Sequence, residues 1–371
     1  MKVTITKASL AEAAQAVKGL VVKDGLSAFS RVRLDASGCL SVTGSNGDVQ
    51  VEWRMDGEVV KQGGATVPGA AFASFVGAVP EGIVEMDLAN HRLAISACGV
   101  KFKLAAGAAT DFPVMAGPGR AEAEPRRLFI GAEVFREMLR KVKFAALTDA
   151  TRPNLKGVNI DLKDGRLGMT ATDGRRLAHV ERELAAEAAR FDKEINITLP
   201  TKTVAILYGL LEDMTEGDVY MVFDGSAVRI VGDKWGMTAK VLDAAYPNWR
   251  RVVPEGLPHH IRLKRMMFLE AMGRAALASS ESSVVKITLA NGRAVFEAKN
   301  DITEAKTDIP VVEMDDVKYE FCVNSRLMKD ALEVIDDDEF ILHTDCGEGT
   351  PFKLTCTVPW VAVIMPYRKE G

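Results

Sequence analysis

The sequence has no run of about eighteen apolar residues, so no membrane-spanning helix is expected. Its opening stretch, MKVTITKASLAEAAQAV, lacks the apolar core of a secretory signal. Cysteine is scarce. The five thiols (Cys39, Cys98, Cys322, Cys346, Cys356) are odd in number and form no CxxC pair. Reduced thiols and a cytoplasmic location are the simplest account. Of five histidines only His259 and His260 are adjacent, and neighbours in sequence rarely ligate one metal together. No GxSxG, HExxH, Walker-type loop or DxDxDG pattern occurs, so the chain is expected to be no enzyme and to need neither cofactor nor metal. Nor does one sign of charge dominate. Lys and Arg number 47 against 51 Asp and Glu, a net −4 that argues against gripping nucleic acid with the whole surface but leaves room for a local basic stripe.

What the chain does contain is a repeat. Gly165 opens GRLGMTATDGRRLA, in which Leu167, Met169 and Ala171 alternate with polar or small residues, the period of a strand with one buried face. Asp173-Gly174 then supplies hairpin-turn chemistry. The same register recurs after Gly38 and after Gly292, at spacings of 165 − 38 = 127 and 292 − 165 = 127 residues. Inward positions are occupied in turn by Leu40, Leu167 and Ala294, by Val42, Met169 and Phe296, and by Gly44, Ala171 and Ala298, while Asn46, Asp173 and Asn300 hold the turn. Three copies at one spacing indicate an internal triplication.

Each unit is expected to open with a helix and to carry a second one. Leu10, Ala14 and Val17 share a face in the first opening helix; Phe135, Met138, Leu139 and Val142 do so in the second; Met267, Leu269 and Met272, or their neighbours, in the third. The second helices are AAFASFVGAV, KTVAILYGLLEDM and SRLMKDALEVI, and about eight strands per unit surround them. The strands alternate and the helices have one apolar face each, so the fold class is α+β: three units, each with two helices packed on antiparallel sheets. Boundaries are expected at 1–124, 125–254 and 255–371, giving an array of units that closes by self-association because its end sheets keep free edges.

Six motifs, taken together, resemble the bacterial beta sliding clamp family, the processivity subunits of the replicative polymerase. They are MKVTI at the start, TVPG near Thr66, ATDFP at Ala109–Pro113, ATDGRRLA at Ala171–Ala178, YPNWRRVVP at Tyr246–Pro254 and VIMPYR at Val363–Arg368. The resemblance spans all three units. It implies a head-to-tail homodimer, a six-domain ring that encircles double-stranded DNA without reading its sequence. It also implies partners: a replicative polymerase alpha-type subunit, a clamp loader, and other motif-bearing replication and repair proteins, with no membrane. A repeat scaffold that binds proteins only is the alternative, since net charge is negative and the first unit's second helix carries no basic residue.

Two sets of residues are candidates. Arg136, Arg140 and Lys143 fall on one face of a helix at i, i+4 and i+7, and Lys202 lies on the following helix. Long cations on rigid helices suit loose contact with phosphates, although such a face is ordinarily just solvated. The resemblance adds Lys23 and Arg152 on loops. It also implies a pocket for partner peptides between the second and third units. Leu155, Thr172, Gly174, Arg175, Arg176 and Leu177 would form one side of it. Pro247, Arg251 and Val252 would form a second, and Asn324, Val363, Met365, Pro366, Tyr367 and Arg368 a third. The chemistry fits a peptide groove, with an apolar floor, an adaptable Met and arginines free to meet carbonyls or acids. An ordinary junction core would use the same apolar residues. Tyr367 departs from the Met usual in the family. The acidic run Asp336–Glu339 coincides with the turns PEG and TEG of the other units and is expected to be a solvated turn rather than a metal site.

Overall fold

The structure, a computed structural model, describes residues 1–23, 27–118, 127–148, 152–184, 194–214, 216–279 and 283–367. Six helices are found among them: α1 (Lys7–Lys18), α2 (Gly69–Ala78), α3 (Ala132–Lys143), α4 (Thr201–Glu212), α5 (Arg265–Ala276) and α6 (Ser325–Glu333). Every pairing within the four sheets is antiparallel. The fold is the expected α+β repeat, with one addition. A short strand precedes the first helix of each repeat, at Lys2–Thr6, Leu128–Gly131 and His259–Lys264.

The turn residues explain why the repeat register persists. Asn46 Oδ1 accepts from the amides of Asp48 and Val49 at 3.0 and 2.8 Å. Asp173 Oδ1 accepts from Arg175 and Arg176 at 2.8 and 3.0 Å, and Asn300 Oδ1 from Ile302 and Thr303 at 2.9 and 2.8 Å. A short side chain that bonds the backbone two and three residues ahead closes the same turn three times.

The helix faces follow the sequence pattern in α1 and α3, where all the named positions are buried. In α5 Met272 is buried as expected, and Phe268 takes the inward place between Met267 and Leu269. Phe268, Ala271, Met272 and Ala275 face inward, whereas Met267 is 41% exposed. The reason is aromatic packing: the Phe268 ring stands edge-on to Phe296 and Phe340, with centroids 4.9 and 5.3 Å away. Phe296 is the repeat's inward strand position, so helix and strand meet at the core.

Contacts gather the chain into two compact units, residues 1–135 with 205–241 and residues 136–204 with 242–371, and the cut falls inside α3 and α4. Each unit holds an eight-stranded sheet made by two successive repeats. In the first unit strand Val49–Met55 pairs with Trp235–Lys240, with Trp53 opposite Trp235 and Gln50 opposite Thr238. In the second, Arg176–Glu183 pairs with Trp360–Ile364, with Leu177 opposite Val363. These are equivalent junctions, because Val49 and Arg176 are 127 residues apart. Two half-sheets are left over. A five-stranded sheet ends on Val100–Ala105, the last strand of the first repeat, and a four-stranded sheet ends on Glu304–Pro310, the counterpart of Val49–Met55 in the third.

Candidate functional site

The second unit has a groove of about 230 Å³ beside its inter-repeat junction. Its floor is the cross-strand pair Leu177 and Val363 with Leu155, all at most 6% exposed. Val252 and Met365 stand at the rim, 57% and 38% exposed, an unusual exposure for apolar side chains. Thr172, Gly174, Arg175, Arg176 and Pro247 complete the part of the lining that sequence reasoning named. Two further lining residues, Asn248 and Trp249, were missed. They lie in the YPNWRRVVP motif, so the signal was present but its middle was passed over.

Backbone geometry makes the groove possible. Gly174 sits at φ +85°, where an L side chain is strained, and a Cβ there would come within 2.6 Å of the Arg152 guanidinium. The Met365 amide donates to the Arg175 carbonyl at 2.9 Å, which holds the end of the last strand against the turn. A short 3₁₀ turn, Trp249–Val252, then presents Val252.

Arg176 corrects an expectation. Although it lines the groove, each of its guanidinium nitrogens makes a bond within the protein: to Asp173 at 3.1 Å, to Asp330 at 2.6 Å and to the Phe144 carbonyl at 2.6 Å, with the Phe144 ring 5.2 Å away. It braces the groove with three of its five N–H groups, so it is not the freely available cation expected from the sequence. Asn324 caps α6, accepting from Arg326 and Leu327, and does not line the groove. Arg251 is exposed and outside the lining. Pro366 and Tyr367 line a neighbouring hollow of about 510 Å³ with Lys286, Glu320 and Cys322. Arg368 lies outside the described residues.

Trp249 is held by a stack. His179 packs on one side with ring centroids 4.0 Å apart, and the Arg250 guanidinium lies 4.5 Å from the Trp249 ring. Burial first, and then the Arg250 charge, bring the His179 pKa down to about 4, against the opposing pull of a backbone bond with Met169. The folded state therefore prefers neutral His179, while the unfolded chain protonates near the ordinary value of 6.5. This stability is complete above pH 6.5 and is lost as pH falls toward 4. Going from pH 7 to 5 should cost about 2 kcal/mol. Urea unfolding at the two pH values checks this. His179→Asn should flatten the slope; an unchanged slope would discard the assignment. Half-buried His343, also lowered to about 4 mainly by burial, contributes a smaller remainder.

The cations expected to meet DNA divide into two groups. Arg140 is turned away from that role: it makes a two-pronged pair with Glu137 at 2.7 and 2.8 Å and reaches Asp336 at 2.6 Å. Arg152 lies over Gly174 at the groove. Lys23 and Lys202 are exposed, and Arg136 and Lys143 half-exposed on α3. The acidic run is not simply solvated either. Asp336 pairs with Arg140 and Lys141, the Asp337 carbonyl accepts from Arg265 at 2.9 Å, and Glu339 pairs with Lys264 at 2.6 Å.

Three α+β repeats fused through shared sheets are the architecture of sliding clamps. Models of the N-terminal, central and C-terminal domains of the DNA polymerase III beta subunit match residues 1–116, 130–248 and 250–354. The beta sliding clamp of Staphylococcus epidermidis is 25% identical over 336 residues, 87% of each chain. The crystal structure of the DNA polymerase III subunit beta from Pseudomonas aeruginosa matches with a TM-score of 0.91 at 26% identity, covering 99% of this chain and all of that one. The C. crescentus beta sliding clamp matches with a TM-score of 0.90 at 27% identity, 99% of each. The chain belongs to the DNA polymerase III beta subunit family, whose work is that of a sliding clamp in DNA replication.

Proposed function

We propose that two copies of this chain close head to tail into a ring around duplex DNA and tether a replicative polymerase to it. One observation carries the reading. Two of the three equivalent junction strands meet a last strand inside the chain; among the described residues the third, Glu304–Pro310, has no such partner, and neither does Val100–Ala105. A second copy supplies both missing neighbours at once, and a symmetric pair of such junctions closes the assembly. Sedimentation should then give a species of about 80 kDa, twice the 40.2 kDa chain.

Lys23, Arg136, Lys143 and Lys202 supply sequence-blind attraction to phosphates, and the ring supplies retention. The groove of the second unit takes short peptides from the polymerase, the loader and other partners. Its size suits affinities on the order of micromolar, so that partners exchange. A loader must open the ring, since a closed one cannot thread a circular duplex.

Retention on DNA tests this. Loaded onto nicked plasmid with a loader and ATP, the protein should stay on circles and run off after linearisation. Equal retention on both forms means surface binding. No retention on either, with a loader known to be competent, favours a protein-only scaffold.

A further inference from the structure

The largest hollow described lies in the first unit, about 860 Å³, on the outer face of the eight-stranded sheet. Gly44 marks the inner face, because a Cβ there would lie 2.8 Å from Val17 of α1. Thr43, next along the strand, therefore points the other way. On that outer side Arg33, Thr43 and Glu52 are successive cross-strand neighbours, and Gln50, Thr238, Arg229 and Val222 form a second row beside them. The chain at 114–118 makes the facing wall, and the Met115 amide donates to Gln50 Oε1 at 2.9 Å.

The repeat relates this hollow to the groove of the second unit. Gln50 and Leu177 are 127 residues apart, and each faces the last strand of the next repeat, at Thr238 and Val363. The wall follows Pro113 here and Pro247 there. The same place in the fold thus carries an apolar floor in one unit and a polar, arginine-lined floor in the other.

Among the described residues three arginines line it, Arg33, Arg127 and Arg229, against one carboxylate, Glu52. Their charges are incompletely met. Arg229 and Glu52 are 3.8 Å apart, too far for a hydrogen bond, and Arg127 lies over the Tyr220 ring at 5.0 Å. Arg33 holds Asp35 at 2.5 Å, yet its Nε is buried with no hydrogen-bond partner, and an orphaned donor of that kind is costly.

We propose that this hollow is a second docking site, which takes an acidic segment of a protein partner. Glu52 in the middle of the arginines repels a uniform polyanion but sits well opposite a polar residue of a peptide. Arg33 and Arg229 are four strand spacings apart, about 19 Å, which about six extended residues cross. The segment that fits carries carboxylates at that interval, each able to form charge-assisted bonds to a guanidinium.

The test uses full-length protein and a fluorescein-labelled twelve-residue peptide with two Asp-Glu pairs separated by four Ser or Gly residues. Anisotropy in low salt should give binding in the range of about ten to a hundred micromolar. Arg229→Gln and Arg33→Gln should each weaken it at least about fivefold, and the Asn-Gln version of the peptide should not bind. Val252→Asp, in the other groove, should change nothing. Among the described residues Arg229 has only the distant Glu52 as an ion-pair partner, so its variant keeps the fold even where Arg33→Gln, which loses Asp35, does not. The proposal fails if the peptide does not bind, if Arg229→Gln binds as well as the parent, or if the Asn-Gln peptide binds equally. It also fails if inorganic polyphosphate of equal charge competes at or below the peptide's own concentration, which would make the hollow a mere anion sink.

Discussion

Lys141→Ala will lower the melting temperature of the protein by roughly 6–12 °C, the equivalent of about 3 kcal/mol for a unit of this size. Lys141 lies on α3 and is 1% exposed, among the largest fully buried side chains present. Its ammonium donates to the Val334 carbonyl and, at 2.8 Å, to Asp336, with Glu137 3.4 Å away. Its own carbonyl accepts from Trp360 Nε1 at 2.9 Å. One residue of the second repeat thus fastens two segments of the third. Burial on its own would raise the Asp336 carboxyl; the hydrogen bond and charge of Lys141, with the charge of Arg140, outweigh that and hold it below the usual carboxylate value. Truncation to Ala removes a packed stem, opens a cavity and orphans the Val334 carbonyl. Lys141→Met keeps the stem and should cost less, about 1–2 kcal/mol. Because the ammonium is buried, 1 M salt should not erase the difference between parent and variant, as it would for a surface pair. A melt unchanged within 1 °C would show that the tie contributes nothing.

The sequence revealed the repeat, its turn residues and the apolar floor of the groove, because each depends on local periodicity or on a short motif. Leu177 and Val363 are apolar strand ends whatever their neighbours, and Asn46, Asp173 and Asn300 bond only residues two or three positions away. What stayed hidden depends on distant pairings. Arg176 and Arg140 look like free cations until Asp330 and Asp336, more than 150 residues away, are brought beside them. Lys141, the next residue after Arg140, stands about 100° further round the helix. Helical spacing places them one residue apart on the wheel but cannot tell which one the third repeat will cover. The choice of Phe268 over Met267 and Leu269 in α5 has the same origin. Several apolar residues compete for the inward position, and the shape of Phe296 and Phe340 decides in favour of Phe268. Trp249 escaped because its role is lateral. It lines the groove by leaning on His179, a residue seventy positions earlier.

Val252→Asp combined with Met365→Asp will abolish measurable binding of the replicative polymerase subunit, a loss of at least about a hundredfold. The two side chains are the exposed rim above a floor that is already buried, so they can change without disturbing the fold. On the peptide reading they are also the apolar surface a ligand must cover. Losing each contact costs about 2 kcal/mol at a well-packed hot spot, and a carboxylate forced under the ligand without a partner adds its desolvation. Two such changes on one small groove remove about 4 kcal/mol of the roughly 8 kcal/mol that holds a micromolar peptide, which carries its Kd to about a millimolar. Loading onto circular DNA should survive only if the loader has contacts outside the groove, so binding is best read by surface plasmon resonance with the isolated polymerase subunit. Arg176→Ala gives the contrasting result. Its guanidinium bonds Asp173, Asp330 and Phe144 rather than open space, so it should lower the melting temperature as well as the affinity. If the double aspartate variant bound the polymerase within threefold of the parent, the groove would be an interior crevice of the junction, and the tether would have to be sought elsewhere.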